Sequence, residues 1–242
     1  MESLAQLHQG IRALADPEVA RFLQRFFKTG PGEYGHGDKF LGIRVPTLRA
    51  LAKRALEKPR GGVSLHDAVA LLSSEWHEER FVALTLMVHL YRRSTPEVRE
   101  QIYRAYLAHT DRINNWDLVD SSAEHIVGAH DNPSKLAVLT TLARSDNLWE
   151  RRIAMMATFY GIRRGEYSTA LTIATLLLHD PHDLIHKAVG WMLREIGKRD
   201  PVQERAFLAK HFATMPRTML RYAIERFPET ERQAYLRGTT KD

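Results

Sequence analysis

The chain has 242 residues, 44% of them hydrophobic and 26% charged, and it contains no cysteine. That is enough apolar material for one large domain or a short repeat array, and it excludes wholesale disorder, disulfides and thiolate metal sites. The formal net charge is +6, and 26 of the 35 basic residues are arginine, a balance that favours a polyanionic partner held by bidentate phosphate contacts.

The first stretch, Met1 to Phe22, has no basic start followed by an apolar run, so no signal peptide is expected. No segment approaches the roughly 18 apolar residues of a membrane span. A soluble, cytoplasmic protein with no membrane partner is expected, and a cysteine-free chain fits a reducing compartment.

Punctuation arrives at regular intervals along the chain. Asp16-Pro17, Gly30-Pro31-Gly32, Pro59-Arg60-Gly61-Gly62, Thr95-Pro96, Asn132-Pro133, Asp180-Pro181, Asp200-Pro201, Met215-Pro216 and Phe227-Pro228 each mark a break. Several read as helix starts, with a capping Asp or Thr followed by Pro at the first helical position. Between breaks, segments of roughly 10–18 residues show apolar spacing of three and four. Ala68, Leu71 and Leu72 form one set, Phe81, Leu84, Val88 and Tyr91 a second, and Leu171, Ala174, Thr175 and Leu178 a third. No run alternates with period two. The one candidate for β structure or an irregular loop is Gly30–Gly42, with five glycines before Ile43.

Self-comparison shows a repeat of about 35 residues. Glu79-Arg80-Phe81-Val82-Ala83 resembles Arg151-Arg152-Ile153-Ala154-Met155, and both resemble His186-Lys187-Ala188-Val189-Gly190 and Leu220-Arg221-Tyr222-Ala223-Ile224. The basic positions Arg80, Arg152, Lys187 and Arg221 are spaced by 72, 35 and 34 residues, and the missing step falls on Trp116. Such a repeat predicts an all-α fold: a right-handed α-solenoid of HEAT-like antiparallel helix pairs with a concave basic face, forming a single domain over residues 1–238 with a short disordered tail at 239–242. Equivalent positions then line one face, so Trp116, Asp120, Arg152, Lys187 and Trp191 are expected to form one patch over three adjacent helices.

Two readings of that patch stand side by side. In the first, the tryptophans are core residues, Asp120 accepts a salt bridge from Arg152, and the basic ladder cross-links successive repeats. In the second, Trp116 opens a helix after the capping pair Asn114-Asn115 and sits with Asp120 at the border of the stripe Val119, Ala123, Ile126 and Val127. A border indole offers a flat face to a sugar or base, a carboxylate stabilises developing positive charge, and flanking cations hold phosphates. That combination suits departure of a cationic base from a nucleotide sugar, with the electrostatic logic of glycoside hydrolysis.

Four stretches carry a family resemblance: Lys39-Phe40-Leu41-Gly42-Ile43-Arg44-Val45-Pro46; Asn114-Asn115-Trp116-Asp117-Leu118-Val119-Asp120; Asp146-Asn147-Leu148-Trp149-Glu150-Arg151-Arg152; and His186-Lys187-Ala188-Val189-Gly190-Trp191-Met192-Leu193-Arg194-Glu195. Over nearly its whole length the chain resembles the AlkD-type DNA alkylation repair proteins, HEAT-like-repeat DNA glycosylases. The resemblance implies an enzyme that hydrolyses the N-glycosidic bond of cationic alkylated purines, such as 3-methyladenine and 7-methylguanine, in duplex DNA. It assigns the tryptophan rings of Trp116 and Trp191 to the deoxyribose, Asp120 to the sugar cation and the attacking water, and Arg152 to the backbone. Arg44, Arg80, Arg151, Lys187, Arg194 and Arg221 are the further DNA-contact candidates. It implies no metal, no organic cofactor, a monomer, and no need for the base to enter a protein pocket. Relative to active members, Gly30–Asp38 looks like an insertion, which is either a flexible connector or a DNA contact.

Other features weigh less. His182 and His186 have the spacing of metal ligands, with His179 or Asp183 as a third, but helix capping and surface placement account for them better. Lys187 as a Schiff-base nucleophile is outweighed by its place in the ladder. The rival functions are a non-catalytic binder of branched or damaged DNA and a HEAT-like protein-interaction scaffold. Only a DNA binder loses affinity steeply with salt, and only a glycosylase releases base.

Overall fold

A computed structural model of the chain describes residues 4–56 and 63–239. The break expected at Pro59-Arg60-Gly61-Gly62, and all of the expected tail except Thr239, lie outside the described residues. Among the described residues every regular element is a helix, and the β structure is confined to an isolated parallel bridge between Lys39 and Trp76. The Gly30–Gly42 stretch is accordingly an irregular loop rather than a strand. No described helix is long and apolar enough to cross a membrane. By compactness the chain divides into two units, Met1–Ser122 and Ala123–Asp242.

The first unit holds α1 (Leu4–Arg12), α2 (Pro17–Phe26), α3 (Val45–Leu56), α4 (Leu65–Leu72), α5 (His77–Arg93), α6 (Pro96–Ala108) and α7 (Trp116–Ala123). Asp16 caps α2 by accepting from the amides of Glu18 and Val19, with Pro17 at the first helical position. Ser64 and Asp67 close a capping box on α4. The central helix is α5, which packs on α3 and α4. Phe81, Leu84, Val88 and Tyr91 on α5, and Ala68, Leu71 and Leu72 on α4, are buried as their spacing predicts. The loop returns along α2 at Gly42, where φ is +88° and any Cβ would collide with the Asp16 carbonyl, so only glycine fits.

The second unit opens with a π-helical turn at Glu124–Gly128. It continues through α8 (Lys135–Ala143), α9 (Leu148–Ala157), α10 (Phe159–Ile162), α11 (Ser168–Leu176), α12 (Asp183–Gly197), α13 (Pro201–His211), α14 (Arg217–Ala223) and α15 (Glu229–Arg237). Helix α9 packs on α8 and α12, and α12 on α13 and α14. The approach of α14 is close because Gly190 has no side chain; a Cβ there would collide with the carbonyl of Met219 and with Tyr222. Asp200 caps α13 ahead of Pro201, whereas Pro216 and Pro228 themselves occupy the capping positions of α14 and α15. On α11 the buried residues are Ala170, Ile173 and Ala174, continued by Leu177 and Leu178, while Thr175 is exposed. The apolar set expected there is thus rotated: Ile173 and Leu177 take the inward positions that Leu171 and Thr175 were expected to fill.

Candidate functional site

Helix α7 starts where Asn115 Oδ1 accepts from the amide of Trp116, at 2.9 Å. Its first turn is fixed from below by a chain of buried charges. Asp117 Oδ2 lies 2.9 Å from His77 Nε2, and His77 Nδ1 lies 2.8 Å from Asp38 Oδ2. Asp38 Oδ1 accepts from Arg80 Nη2, and Arg80 also donates to the Ser74 carbonyl and to Asn114 Oδ1. Asn115 Nδ2 completes the group at 3.3 Å from Asp38 Oδ2. Burial disfavours the imidazolium of His77, but the charges and hydrogen bonds of Asp117 and Asp38 outweigh it and raise its pKa to about 9. Burial also pushes the Asp38 carboxyl up, and His77 with Arg80 more than reverses that, holding it below the usual carboxylate range. At neutral pH, His77 therefore donates from both ring nitrogens.

Above these charges runs a stack of rings. The Trp116 and Phe27 ring centres are 5.2 Å apart at 19°, Phe27 and Phe40 are 4.9 Å apart at 20°, and Phe40 and His77 are 4.3 Å apart at 21°. The indole is thus backed on one side by protein and is half-buried, as a border residue should be. Asp120 follows one turn later on the same helix and is also half-buried. The Tyr106 phenol is bonded to Ser122 beside it. Burial is the main reason that its pKa is raised, and the Asp120 charge adds to it against the opposing Ser122 bond.

Arg80 requires a correction. It was expected to contact DNA, yet its side chain is 4% exposed and committed to Asp38, Ser74 and Asn114. It is a tie beneath α7. The neighbouring residues are buried for related reasons. Glu78 accepts from the amides of Leu41, Gly42 and Ile43, and Glu79 binds His8, Arg12 and Ser74.

In the second unit, Arg152 is the fifth residue of α9 and is buried. Its Nη1 donates to the Leu184 carbonyl on the first turn of α12. Lys187 and Arg221 are likewise the fifth residues of α12 and α14. On α7 the fifth residue is Asp120, and Trp116 is the first. Counted from helix starts, a carboxylate takes the place of the ladder's cation, with the indole one turn before it.

Lys187 is partly exposed and pairs with Asp183 at 2.7 Å. Trp191, one turn on, is half-buried, with Nε1 3.4 Å from Glu195 Oε1 and its ring 6.2 Å from Phe159. Arg151 is tied to Asp180 and to the carbonyls of Ser145 and Asp146, and Arg194 is paired with Glu225. Arg151 so ties α9 to the loops before it and before α12, and Arg194 ties α12 to the turn that follows α14. Arg44 and Arg221 are exposed. Trp116 and Asp120 thus belong to the first unit, and Arg152, Lys187 and Trp191 to the second.

His182 caps α12 by accepting from the amide of Leu184, and the His186 ring bonds the Asp180 carbonyl. Among the described residues no group of three or more His, Asp or Glu side chains is placed to hold a metal.

The sequence reading missed Asp38, His77 and Asp117. Nothing local marks them, since each partner lies about 40 residues away along the chain. It also missed the ring stack, although Phe26-Phe27 next to the glycine-rich loop was a visible aromatic cluster.

A sequence profile of a family described as DNA alkylation repair enzyme matches residues 7–227. Among solved structures, a protein described as a "predicted DNA alkylation repair enzyme" from Enterococcus faecalis superposes with a TM-score of 0.66 at 20% identity, covering 89% of this chain and 97% of that one. AlkD2 from Streptococcus mutans gives 0.57 at 18% identity, covering 88% and 98%. The protein smu.31 from Streptococcus mutans UA159 gives 0.51 at 16% identity, covering 93% and 98%. At these identities the structures speak for the fold. A comparison with curated proteins found no match.

Proposed function

Because the chain belongs to the DNA alkylation repair enzyme family, we propose that it is a monofunctional DNA glycosylase that hydrolyses the N-glycosidic bond of cationic alkylated purines in duplex DNA. The observation that carries this reading is the pair on α7: an indole at the first position and a half-exposed carboxylate at the fifth, on a helix start held by buried charges.

The chemistry needs little more. The alkylated ring already bears a positive charge, so breaking the bond from C1′ to the ring nitrogen returns an electron pair to that nitrogen and releases a neutral base. The sugar left behind is an oxocarbenium-like cation. Asp120 stabilises it and orients the water that adds to C1′, and the proton of that water passes through Asp120 to solvent. Trp116 and Trp191 pack on the deoxyribose, and Arg152, oriented by Leu184, holds the backbone. Lys187, Arg44 and Arg221 supply phosphate contacts from their exposed positions. The shape this reading calls for is a right-handed solenoid with a concave basic face, working as a cytoplasmic monomer without metal or organic cofactor.

The test is direct. Incubation with methylated duplex DNA releases free 7-methylguanine and 3-methyladenine, and Asp120→Asn loses that release, by 100-fold or more on the scale of oxyanion-type stabilisation, while keeping duplex affinity. Absence of release where binding is demonstrable overturns the enzyme reading. The second reading, a non-catalytic binder of damaged or branched DNA, is favoured by one observation: Arg152 is buried and spends a donor on protein backbone.

A further inference from the structure

The two candidate indoles are held in different ways. The Trp116 ring lies against Phe27 at 19°, so the aromatic stack sets its plane. Trp191 meets Phe159 with ring centres 6.2 Å apart and a tilt of 55°. A tilted contact supports a ring without fixing its plane.

What fixes the Trp191 ring is a carboxylate on its own helix. Side chains of α12 lean toward its N-terminus, which lays Glu195 over the turn that carries Trp191. Trp191 Nε1 donates to Glu195 Oε1 at 3.4 Å, a long bond of the kind that tightens once a ligand is in place. Glu195 is itself held firmly, with a side chain only 9% exposed. Lys198 Nζ donates to its Oε1 at 2.5 Å, and Arg199 Nη1 donates to its Oε2 at 2.9 Å and to its carbonyl at 2.8 Å. Burial pushes the Glu195 carboxyl up, and Lys198, Arg199 and Trp191 more than reverse that, holding it below the usual carboxylate range. The Arg199 guanidinium in turn lies 5.9 Å from the centre of the Phe159 ring. Trp191, Glu195, Arg199 and Phe159 thus close a circuit of four contacts.

Elsewhere in the molecule a buried carboxylate with a cation ties distant segments together, as Asp38 does with Arg80 and Asp180 with Arg151. Glu195 takes both of its cations from within four residues, at the end of its own helix. Pairs so close along one helix add little to a fold. The remaining partner of Glu195 is the indole N–H of Trp191.

We propose that Glu195 is a positioning residue for the glycosylase reaction, holding the Trp191 indole in the orientation that packs on the deoxyribose as C1′ becomes cationic. The role rests on the function proposed above. A carboxylate at the N–H also polarises the indole, so that its face attracts a neighbouring positive centre more strongly.

The experiment uses the full chain, isotope-labelled at the tryptophan nitrogens and followed by proton–nitrogen NMR. The indole N–H signal of Trp191 is the one that Trp191→Phe removes. Glu195→Met keeps the bulk of the side chain and removes the acceptor, so the Trp191 signal moves upfield and exchanges faster with solvent. Single-turnover release of 7-methylguanine from methylated duplex at saturating protein falls about tenfold, the weight of one hydrogen bond to a charged group. Duplex affinity stays within about threefold. Glu195→Gln, which loses the charge and keeps an acceptor, restores most of the signal position and of the release. Glu195→Ala serves if Glu195→Met fails to fold. A Trp191 signal that stays in place without the carboxylate overturns the proposal, as does unchanged release when the signal moves. So does an equal loss of release in Glu195→Gln and Glu195→Met, which would make the ion pairs the cause and not the indole bond. If the unaltered chain binds duplex and releases no base, the glycosylase reading fails and this role fails with it. If the unaltered chain releases base and Glu195→Met does so equally, only this role fails.

Discussion

Arg80 and Lys187 align in the sequence repeat, the fourth residue of α5 and the fifth of α12, and they do opposite things. At the start of α5 four successive polar residues, His77 to Arg80, are all buried: Glu78 binds the amides of Leu41 to Ile43, Glu79 binds His8 and Arg12 of α1, and His77 and Arg80 share Asp38. At the start of α12, Ile185, Ala188 and Val189 are buried while Asp183 and Lys187 pair with each other at the surface. A repeat register selects the face a residue occupies. Whether that face meets water depends on what else lies over it. In the first unit the segment from Asp38 to Ile43 lies over α5 and turns a ladder position into core. Charges so enclosed must be matched almost completely, because an unmatched buried ion costs several kcal/mol.

Breaking the two positions should therefore give very different results. Arg80→Met leaves Asp38 and His77 with unbalanced charge, and the loss is expected to be about 3–5 kcal/mol, a fall in Tm of roughly 10 °C by calorimetry. A fall below about 2 °C would show that the enclosed charges do not support α7.

The pH dependence separates the two units next. Below pH 6.5 His77 is protonated both folded and unfolded, and its contribution is fully present; it is lost as pH rises through about 9. His77→Gln should flatten that part of the stability curve.

Glu204 in the second unit gives an earlier window. Burial first, and the Glu231 charge after it, raise its pKa to about 8 against the pull of Arg205 and Arg194. The folded state then binds the proton that the unfolded state has released, so stability falls as pH rises from about 4.5 to 8. Glu204→Gln should raise Tm by several degrees at pH 8 and by little at pH 4.5; an equal shift at both would refute the assignment.

The smallest expected effect is that of Lys187→Met. An exposed i,i+4 pair contributes about 0.3–0.5 kcal/mol, so Tm should move by no more than about 2 °C. Duplex affinity should nonetheless weaken, and the dependence of log affinity on log salt should lose about one unit of slope. An unchanged slope would remove Lys187 from the DNA-contact set.

The helical class was legible because apolar spacing and X-Pro breaks are local signals. Asp16-Pro17 and Asp200-Pro201 are capped helix starts, as their residues say. The border positions of Trp116 and Asp120 were also legible, from the stripe that α7 carries. The tie beneath them was not. Nothing local in His77-Glu78-Glu79-Arg80 signals burial; α1 and a glycine-rich loop more than 30 residues earlier together enclose it. The side of α11 was misjudged because Leu171, Ile173, Leu176 and Leu177 permit two overlapping stripes, and packing against α8 and α9 selects one.

Glu78 carries one further consequence. A carboxylate that receives three consecutive amides, at 2.8, 2.8 and 3.1 Å, lets a stretch of irregular backbone be enclosed with no more strand pairing than the single bridge at Lys39. The loop is clamped at its exit, and its upstream turns are not asked to supply pairing. Residues around Gly32 therefore have latitude to change in number and kind, while the ring stack behind Trp116 keeps its footing. In such an arrangement a single acid does for a loop what a keystone does for an arch: the stones on one side can be recut, provided that it stays.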